Sequence, residues 1–317
     1  MIRSFLCRGG KVHEVKPEEA ALFVREKKNN VWISFEDATK AEEEVFKSLG
    51  FHPLSVEDAL QGRQRPKIDG YDEYAFIALR TLEKNKEGRK GQLSIFLGDT
   101  FIVTYAANKV PSIERVIRHL KENPETLLKG HDFLAYHIID AVVDGYFPIM
   151  DEIENAIEGI EGDVFTKPPS PEMLNKLFKV RRRLVEIRRI VWPMRDILNV
   201  LSRRDYPFVT SESAVYYRDV YDHLLRLADI TENLRELSSN AMEGYLSTVN
   251  NSLNLVVKRL TAITVILMVP TLIASAYGMN VVNLPLAQRE TGFVELLGVM
   301  GVLTFGSYWY FKKRGWV

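Results

Sequence analysis

The sequence predicts a membrane protein in which an α+β cytoplasmic domain is followed by long helices and a two-helix transmembrane hairpin. Two apolar runs near the C-terminus support the membrane part of this prediction. About 29 residues from Leu260 to Gln288 contain no charged side chain, and about 16 more run from Leu296 to Phe311. A membrane-spanning helix needs ~20 apolar residues, so both runs are long enough once residues 292–295 lie at the interface.

The short connection between the two runs and the charges around them predict the topology. Peptide groups in hydrocarbon must be hydrogen-bonded within the protein, so each run is predicted to be a helix, and the short loop makes the pair antiparallel. Lys258 and Arg259 precede the first run, and a basic collar follows the second, formed by Lys312, Lys313 and Arg314. Basic residues favour the cytoplasmic side, so both termini are expected in the cytoplasm of a multi-pass cell-membrane protein. Two buried helices of a soluble domain are the alternative.

The residues before the membrane part have the composition of a soluble domain. Charged residues make up 26% of the chain, the formal net charge is +0 and the mean hydropathy is −0.11. A zero net charge gives no reason to expect a nucleic-acid partner. Cys7 is the single cysteine, which excludes an intrachain disulfide framework.

Periodicity and turn residues predict a mixed first domain and then helices only. Strands are predicted at 31–35, 74–82, 93–97 and 100–105, and helices at 17–27, 39–49, 53–60 and 111–121. Thr39 and Glu42 fit a capping box. A helix is then predicted from 131 to about 161, a break at 167–171, and a basic helix to about 203.

The last predicted helix is unusually long. From Ser213 to Tyr277 only Pro270 interrupts the helical pattern, and such a length suggests a stalk bundled with copies of itself. One face of this helix is mostly small and polar, comprising Glu243, Ser247, Asn250, Asn254, Val257, Thr261, Thr264, Met268, Thr271 and Ser275. This polar face fits the lining of an axial pore. Alternatively, the hydroxyls bond to their own helix and the amides join neighbouring helices.

These features predict seven segments. They are an α/β domain (1–130), a cytoplasmic helical pair (131–209), the cytoplasmic stalk (210–259), a pore-lining first span (260–280), an extracytoplasmic loop (281–291), a second span (292–311) and the basic C-terminus (312–317).

Several motifs resemble one known family. Tyr277-Gly278-Met279-Asn280 at the outer end of the first span is similar to the signature of the CorA family of divalent metal ion transporters. Further stretches resemble the family in the same order, namely HPLSVED at 52–58, QRPK at 64–67, VWPMRD at 191–196 and YRDVYDH at 217–223. The resemblance covers nearly the whole chain.

The resemblance implies a funnel-shaped homopentamer in the lipid bilayer that conducts Mg²⁺, with Co²⁺ and Ni²⁺ as further candidates, and that has no enzymatic activity and no organic cofactor. It implies that Asn280 forms a ring receiving the hydrated ion, with Gly278 and Met279 shaping the turn. The matching pore positions are Thr271, Met268, Leu260, Asn254 and Glu243. A regulatory Mg²⁺ site is implied at Asp58, with Glu57 beside it, and at Asp219 of the next subunit.

Some questions stay open in the sequence. A Zn²⁺ transporter on the same scaffold and a two-span metal sensor without transport are the rival functions. The outer loop lacks the acidic residue that many family members carry after the signature, and Glu290 is its carboxylate. His137, Asp140 and Asp144 could ligate a metal or form a hydrogen-bonded interior cluster. Acidic residues 151–161 and basic residues 181–189 are expected to form mutual salt bridges or to contribute to gating.

Overall fold

Within the described residues, seven strands form one mixed sheet. The computed structural model describes residues 1–8, 11–26, 30–82, 90–280, 284–286 and 289–317. The strands are β1 Ile2–Arg8, β2 Lys11–Glu14, β3 Asn30–Glu36, β4 Lys67–Gly70, β5 Tyr74–Leu82, β6 Lys90–Gly98 and β7 Phe101–Ala106. Their order is β2-β1-β3-β7-β6-β5-β4, in which β3 and β7 are parallel and the other neighbours antiparallel.

Ten helices accompany this sheet in the described part of the chain. Their bounds are α1 Pro17–Glu26, α2 Lys40–Lys47, α3 Pro53–Gln61, α4 Pro111–Glu122, α5 Glu125–Leu128, α6 His131–Asp144, α7 Phe147–Thr166, α8 Pro171–Ser202, α9 Ser211–Tyr277 and α10 Gly292–Lys313. Residues 1–160 and 175–240 form one compact unit, and residues 161–174 and 241–317 form a second.

The sheet of the first unit is buried on both faces. On one face, Phe46 of α2 lies at the centre of an aromatic cluster, with ring centres 4.8 Å from Tyr105, 5.4 Å from Phe35 and 5.5 Å from Phe96. Helix α6 packs against β3, β6 and β7 on the sheet. Because both faces are covered, the central strands carry continuous apolar runs, as in β7, where every residue is buried.

The start of α9 is fixed to the start of α6 by the buried side chain of Asp132. Its Oδ2 accepts hydrogen bonds from the Thr210 amide at 2.8 Å, the Thr210 hydroxyl at 2.7 Å and the Ser213 hydroxyl at 2.6 Å. The Tyr217 hydroxyl donates to the Asp132 carbonyl at 2.7 Å. A buried carboxylate requires such donors, so this junction sets where the long helix begins.

In the second unit, the long helix packs against the end of α7. Gly244 of α9 lies beside Val164, since a Cβ at Gly244 would stand 3.6 Å from a Val164 methyl. The buried Tyr245 donates from its hydroxyl to the Ser170 carbonyl at 3.3 Å. Beyond this contact α9 continues to Tyr277 without a break. The whole helix has 67 residues, which at 1.5 Å per residue makes it about 100 Å long.

Among the described residues, three helical segments are long and apolar enough to cross a membrane. They are His131–Thr166, which comprises α6 and α7 in succession, Ser211–Tyr277 and Gly292–Lys313. Half of the apolar window of the first is buried inside the protein, against 6% for each of the other two. The first segment therefore owes its hydrophobicity to the core around α6, whereas the other two expose apolar surface that a bilayer would cover.

The structure confirms much of the predicted secondary structure and corrects one helix. The Thr39 capping box is present, β6 and β7 form the predicted hairpin, and α9 has nearly the predicted bounds. The single helix predicted from 131 to about 161 is wrong, because the chain breaks at Gly145 into α6 and α7. Pro148 lies in the first turn of α7, where its missing N–H costs little.

His131, at the first turn of α6, is buried in a way that keeps it neutral. Its side chain is 6% exposed, and its Nε2 atom has no hydrogen-bond partner among the described residues. Burial lowers the pKa of His131 to about 4, although Asp132 and Asp99 act in the opposite direction. The unfolded chain, with an ordinary pKa of 6.5, therefore takes up this proton before the folded protein does.

We expect this histidine to reduce stability as the pH falls from about 6.5 to 4. Between these values the unfolded state binds the proton and the folded state does not, which amounts to about 2–3 kcal/mol at the acid end. A His131→Gln variant cannot be protonated at this position. Its melting temperature should therefore fall less than that of the wild type when the pH is lowered from 7 to 4.5. Exposed His13→Gln serves as the control, and an equal effect in both variants would contradict the assignment.

Candidate metal sites

The signature segment lies at the end of the long helix. Gly278 donates its amide to the Ala274 carbonyl at 2.9 Å, and Met279 donates to Ala276 at 3.4 Å, so the helix tightens into a turn after Tyr277. The Tyr277 hydroxyl donates to the Pro285 carbonyl at 2.8 Å, which fixes part of the following loop against the helix end. Asn280 follows this turn and is exposed. Residues 281–283 and 287–288 of the loop lie outside the described residues.

The polar face of α9 is exposed in the single chain. Met268 and Leu260 are 56% and 64% exposed, and Thr271, Asn254 and Glu243 are also exposed. Each of Thr261, Thr264 and Thr271 donates its hydroxyl hydrogen to the carbonyl four residues earlier, at 2.7–2.9 Å. These hydroxyls therefore bond to their own helix, as one reading of the sequence expected. Since the hydrogen is used, each Oγ1 presents only lone pairs outward, which suits a cation or the hydrogens of its water.

The basic collar carries an aromatic partner for each cation. The Lys312 Nζ, Lys313 Nζ and Arg314 Cζ atoms lie 5.7, 5.6 and 5.3 Å from the ring centres of Tyr308, Trp309 and Tyr310 respectively. Pairs at this distance are stabilised by the ring quadrupole. Amphipathic rings and basic side chains are both typical of the membrane interface, so the end of α10 has the character of a headgroup anchor.

Asp58 is half-buried and already paired within its own chain. Lys67 Nζ lies 2.7 Å from Asp58 Oδ2 and 2.7 Å from Asp69 Oδ2, and Gln64 donates to Asp58 Oδ1 at 2.6 Å. Partial burial lowers the pKa of Lys67, but the hydrogen bonds and charges of Asp58 and Asp69 outweigh burial and raise it. Because Lys67 bridges two carboxylates, it can release Asp58 and remain paired with Asp69.

The other predicted regulatory acids lie on exposed helix faces. Glu57 is exposed and accepts a hydrogen bond from Gln61 at 2.7 Å. Asp219 is exposed on α9, close enough to Asp140 to raise the pKa of that carboxyl. In the described part of the chain, no hydrogen bond or ion pair joins Asp58 to Asp219.

The structure brings together a candidate metal-ligating cluster, formed by Asp140 and Asp144 of α6 and His223 of α9. The Oδ1 atoms of Asp140 and Asp144 each lie 3.8 Å from His223 Nδ1, and one ligand atom from each residue lies within 4.8 Å of the others. His223 Nδ1 is buried and has no hydrogen-bond partner among the described residues. This is the arrangement of donors that a divalent ion would draw together.

The electrostatics of this cluster favour a cation. Burial, and after it the charges of Asp144 and Asp219, raise the pKa of Asp140 to about 6, while His223 and Arg115 oppose them. Two carboxylates and an imidazole suit Co²⁺, Ni²⁺ or Zn²⁺ better than Mg²⁺, which prefers oxygen ligands alone.

Of the three residues that the sequence grouped, His137 does not join the cluster. Its ring packs 4.8 Å from the His119 ring and 5.0 Å from the Phe133 ring, and burial lowers its pKa to about 4. His223 takes its place from a helix distant in sequence. The sequence did contain one signal for His223. It lies four residues after Asp219 on a predicted helix, so the two side chains share a helix face.

Comparisons with known proteins agree on one family. Residues 27–313 match the family model described as "CorA-like Mg2+ transporter protein". The chain is 34% identical over 305 residues to the "Cobalt/magnesium transport protein CorA" of Thermotoga maritima, covering 94% of this chain and 87% of that protein. It is 22% identical over 291 residues to the "Zinc transport protein ZntB" of Pectobacterium atrosepticum, covering 90% and 88%.

A solved structure has the same fold over the whole chain. The CorA magnesium transporter from Methanocaldococcus jannaschii superimposes with a TM-score of 0.85 at 23% identity, covering 100% of this chain and 99% of that one. The likeness extends through the sheet and the long helices.

We expect loss of the His223 imidazole to weaken binding of transition-metal ions to the cluster. His223→Ala removes one of three ligands and should lower the Co²⁺ affinity at least about tenfold. The measurement is the Co²⁺-dependent rise in melting temperature of the purified chain. His137→Ala is the matched control, and should keep the full rise. Equal losses in the two variants would show that the ion binds elsewhere.

Proposed function

This chain belongs to the CorA family of Mg²⁺ transporter proteins, and from that membership we propose that it is a cation channel conducting Mg²⁺ into the cell, with Co²⁺ and Ni²⁺ as further ions. The family establishes a divalent metal ion transporter, while the choice of ion is the proposal. The observation that supports it most is the unbroken helix α9, which carries a polar face to the Gly278-Met279-Asn280 turn.

The polar face of α9 supports self-assembly as a homopentamer. Hydroxyl and amide groups facing hydrocarbon are costly, so the face exposed in one chain must be turned toward water or toward other helices. Symmetric copies around an axis satisfy this requirement and leave the apolar faces of α9 and α10 for lipid and neighbouring helices. The family resemblance supplies the number five.

A ring of Asn280 amides suits Mg²⁺ because this ion keeps its water shell. Mg²⁺ dehydrates reluctantly, so a neutral polar ring can hold the hydrated ion through its waters. Further along, Met268 and Leu260 form hydrophobic constrictions that close by excluding water. Thr271 offers a polar ring on the outer side of Met268, and Asn254 offers one on the inner side of Leu260. Glu243 concentrates cations at the cytoplasmic end.

The membrane orientation follows from the ends of the spans. With Lys258 and Arg259 before the first span and the basic collar after the second, both termini lie in the cytoplasm. The domain bearing Asp58 and Asp219 then samples cytoplasmic Mg²⁺, and the Asn280 ring faces outward.

Regulation by intracellular metal is supported by the acidic residues of the soluble unit. Asp58 and Asp219 meet across a subunit boundary in this proposal, with Glu57 beside them and Lys67 moving aside to Asp69. The cluster of Asp140, Asp144 and His223 lies next to Asp219 and extends the same site. Cations stabilise the closed state by neutralising carboxylates, and their loss leaves like charges that separate the subunits.

A Zn²⁺ transporter is the second candidate, favoured by the imidazole in the cluster and by the likeness to ZntB. The distinguishing experiment is ion influx into liposomes that contain the purified protein. Mg²⁺ influx is expected, and an influx of Zn²⁺ without Mg²⁺ would replace the proposal by this candidate. A protein that binds metal without any influx would be a sensor.

Asn280→Ala should nearly abolish Mg²⁺ influx while leaving the assembly intact. The change removes the amide that contacts the water shell of the ion and empties no packed space. Glu243→Ala should reduce influx less, because a carboxylate ring concentrates ions without selecting them. Liposome influx and the assembly size are measured for both variants. Wild-type influx through an assembled Asn280→Ala protein would refute the position of the selective ring.

Asp58→Ala and Asp219→Ala should each abolish inhibition by internal Mg²⁺. A ligand shifts a conformational equilibrium only through its preferential affinity for one state, so removing a ligating carboxylate favours the open state. Influx is measured at low and high internal Mg²⁺, with exposed Asp229→Ala as the control on the same helix. Full inhibition retained in both variants would make these acids ordinary surface charges.

A further inference from the structure

Half of the residues that line a cleft between α8, α9 and the segment after α3 are arginines. The cleft has a volume of about 540 Å³. Five of its lining residues are Arg65, Arg181, Arg188, Arg189 and Arg235. We call it the arginine cleft. All of these residues belong to the first unit, so the cleft is formed within one compact part of the protein.

Among the described residues, only two of these five arginines have an ion pair. Arg188 Nε lies 3.4 Å and Arg235 Nε 2.8 Å from the carboxylate of Glu232. Arg65, Arg181 and Arg189 have no ion pair in the part of the chain that the structure describes. The sequence led us to expect that the basic residues of α8 would pair with acidic α7. That pairing holds for Arg183, which lies 3.5 Å from Glu152, but Arg183 does not line the cleft.

Apart from Thr231, the remaining lining residues of the cleft are apolar or aromatic. Trp192 is half-buried, and the Arg188 Cζ atom lies 5.1 Å from its ring centre. Leu184, Val185 and Pro193 complete this side. The Arg188 guanidinium lies over the Trp192 indole, and aliphatic side chains adjoin them. Together these groups form a wall against which a planar apolar group can pack.

We propose that the arginine cleft binds a nucleoside triphosphate in its metal-free form. Guanidinium groups bind phosphates with paired hydrogen bonds, and five of them around one cleft match a chain of phosphates. The Trp192 wall receives the base, and the volume lies in the range of small-ligand sites, roughly 300–1,000 Å³. A metal-free triphosphate carries about twice the negative charge of its Mg²⁺ complex, so the uncompensated arginines favour the free form.

This preference links the cleft to ion transport, a step that rests on the proposed function. When cellular Mg²⁺ falls, more triphosphate is free of metal, so the cleft fills as the carboxylate sites empty. A shortage of Mg²⁺ therefore changes both kinds of site in opposite directions: the arginine cleft becomes occupied and the carboxylate sites become empty. Binding of the nucleotide itself does not depend on the transport activity.

The test is calorimetric binding of ATP to the purified full chain in lipid nanodiscs. ATP with a metal chelator is expected to bind about tenfold or more tightly than ATP with excess Mg²⁺, and adenosine is expected not to bind. Arg181→Ala and Arg189→Ala should each weaken ATP at least about tenfold, since each removes charged hydrogen bonds. Arg182→Ala is the matched control, because Arg182 is exposed on the same helix and does not line the cleft.

Further measurements test the nucleoside and the triphosphate of the ligand separately. Trp192→Leu should weaken ATP and leave inorganic triphosphate unchanged, whereas equal affinity of the wild type for both ligands would overturn the nucleoside part. Equal losses in Arg181→Ala and Arg182→Ala would reduce the site to diffuse surface charge. No binding of chelator-treated ATP would overturn the proposal. If that result accompanies a smaller assembly in Arg181→Ala, the cleft is instead a contact between copies.

Discussion

The requirement that every peptide group in hydrocarbon be hydrogen-bonded inside the protein shapes the C-terminal half of this chain. One uninterrupted helix that joins the soluble domain to the membrane span meets this requirement, because all of its backbone hydrogen bonds are made within the segment. Helix α9 has this form from Ser211 to Tyr277. Even Pro270, which removes one backbone donor, leaves the helix continuous. The same constraint makes the polar face of α9 informative, because polar groups in a span need a polar environment.

The soluble unit fixes where this helix begins. Asp132 gathers three donors from Thr210 and Ser213 at the first turn of α9, so the helix start is tied to α6 by charged hydrogen bonds in a buried place. The candidate metal-ligating cluster forms across these two helices about two to three turns further along, between Asp140 and His223. Neutralising the cluster therefore acts on a helix pair whose origin is already fixed.

Much of the fold could be predicted from sequence because local signals agree with it, as at the Thr39 capping box and along α9. Strands β1, β2 and β4 were not predicted. β2 and β4 have only four residues each, and β1 carries Arg3, Ser4 and Arg8 without a regular alternation, so each depends on pairing with a neighbour. The break at Gly145 was missed because the apolar pattern continues through it.

The residues of the candidate sites likewise fall into those that the sequence predicted and those that it did not. Asn280 and the collar were found because motif and charge lie close together in sequence. The place of His223 beside Asp140, 83 residues away, depends on how α6 meets α9, which periodicity does not reveal. Likewise, Asp58 reads as a free carboxylate in sequence, but Lys67 nine residues later neutralises it.

The raised pKa of Asp140 gives the metal-sensing idea its energetic basis. A shift from 3.8 to about 6 corresponds to about 2–3 kcal/mol of cost for keeping this carboxyl charged in its half-buried place. Burial is the largest cause of this shift, and repulsion by Asp144 and Asp219 adds to it. A divalent cation between Asp140, Asp144 and His223 would relieve both, because it neutralises the repelling carboxylates and replaces lost hydration with direct ligation.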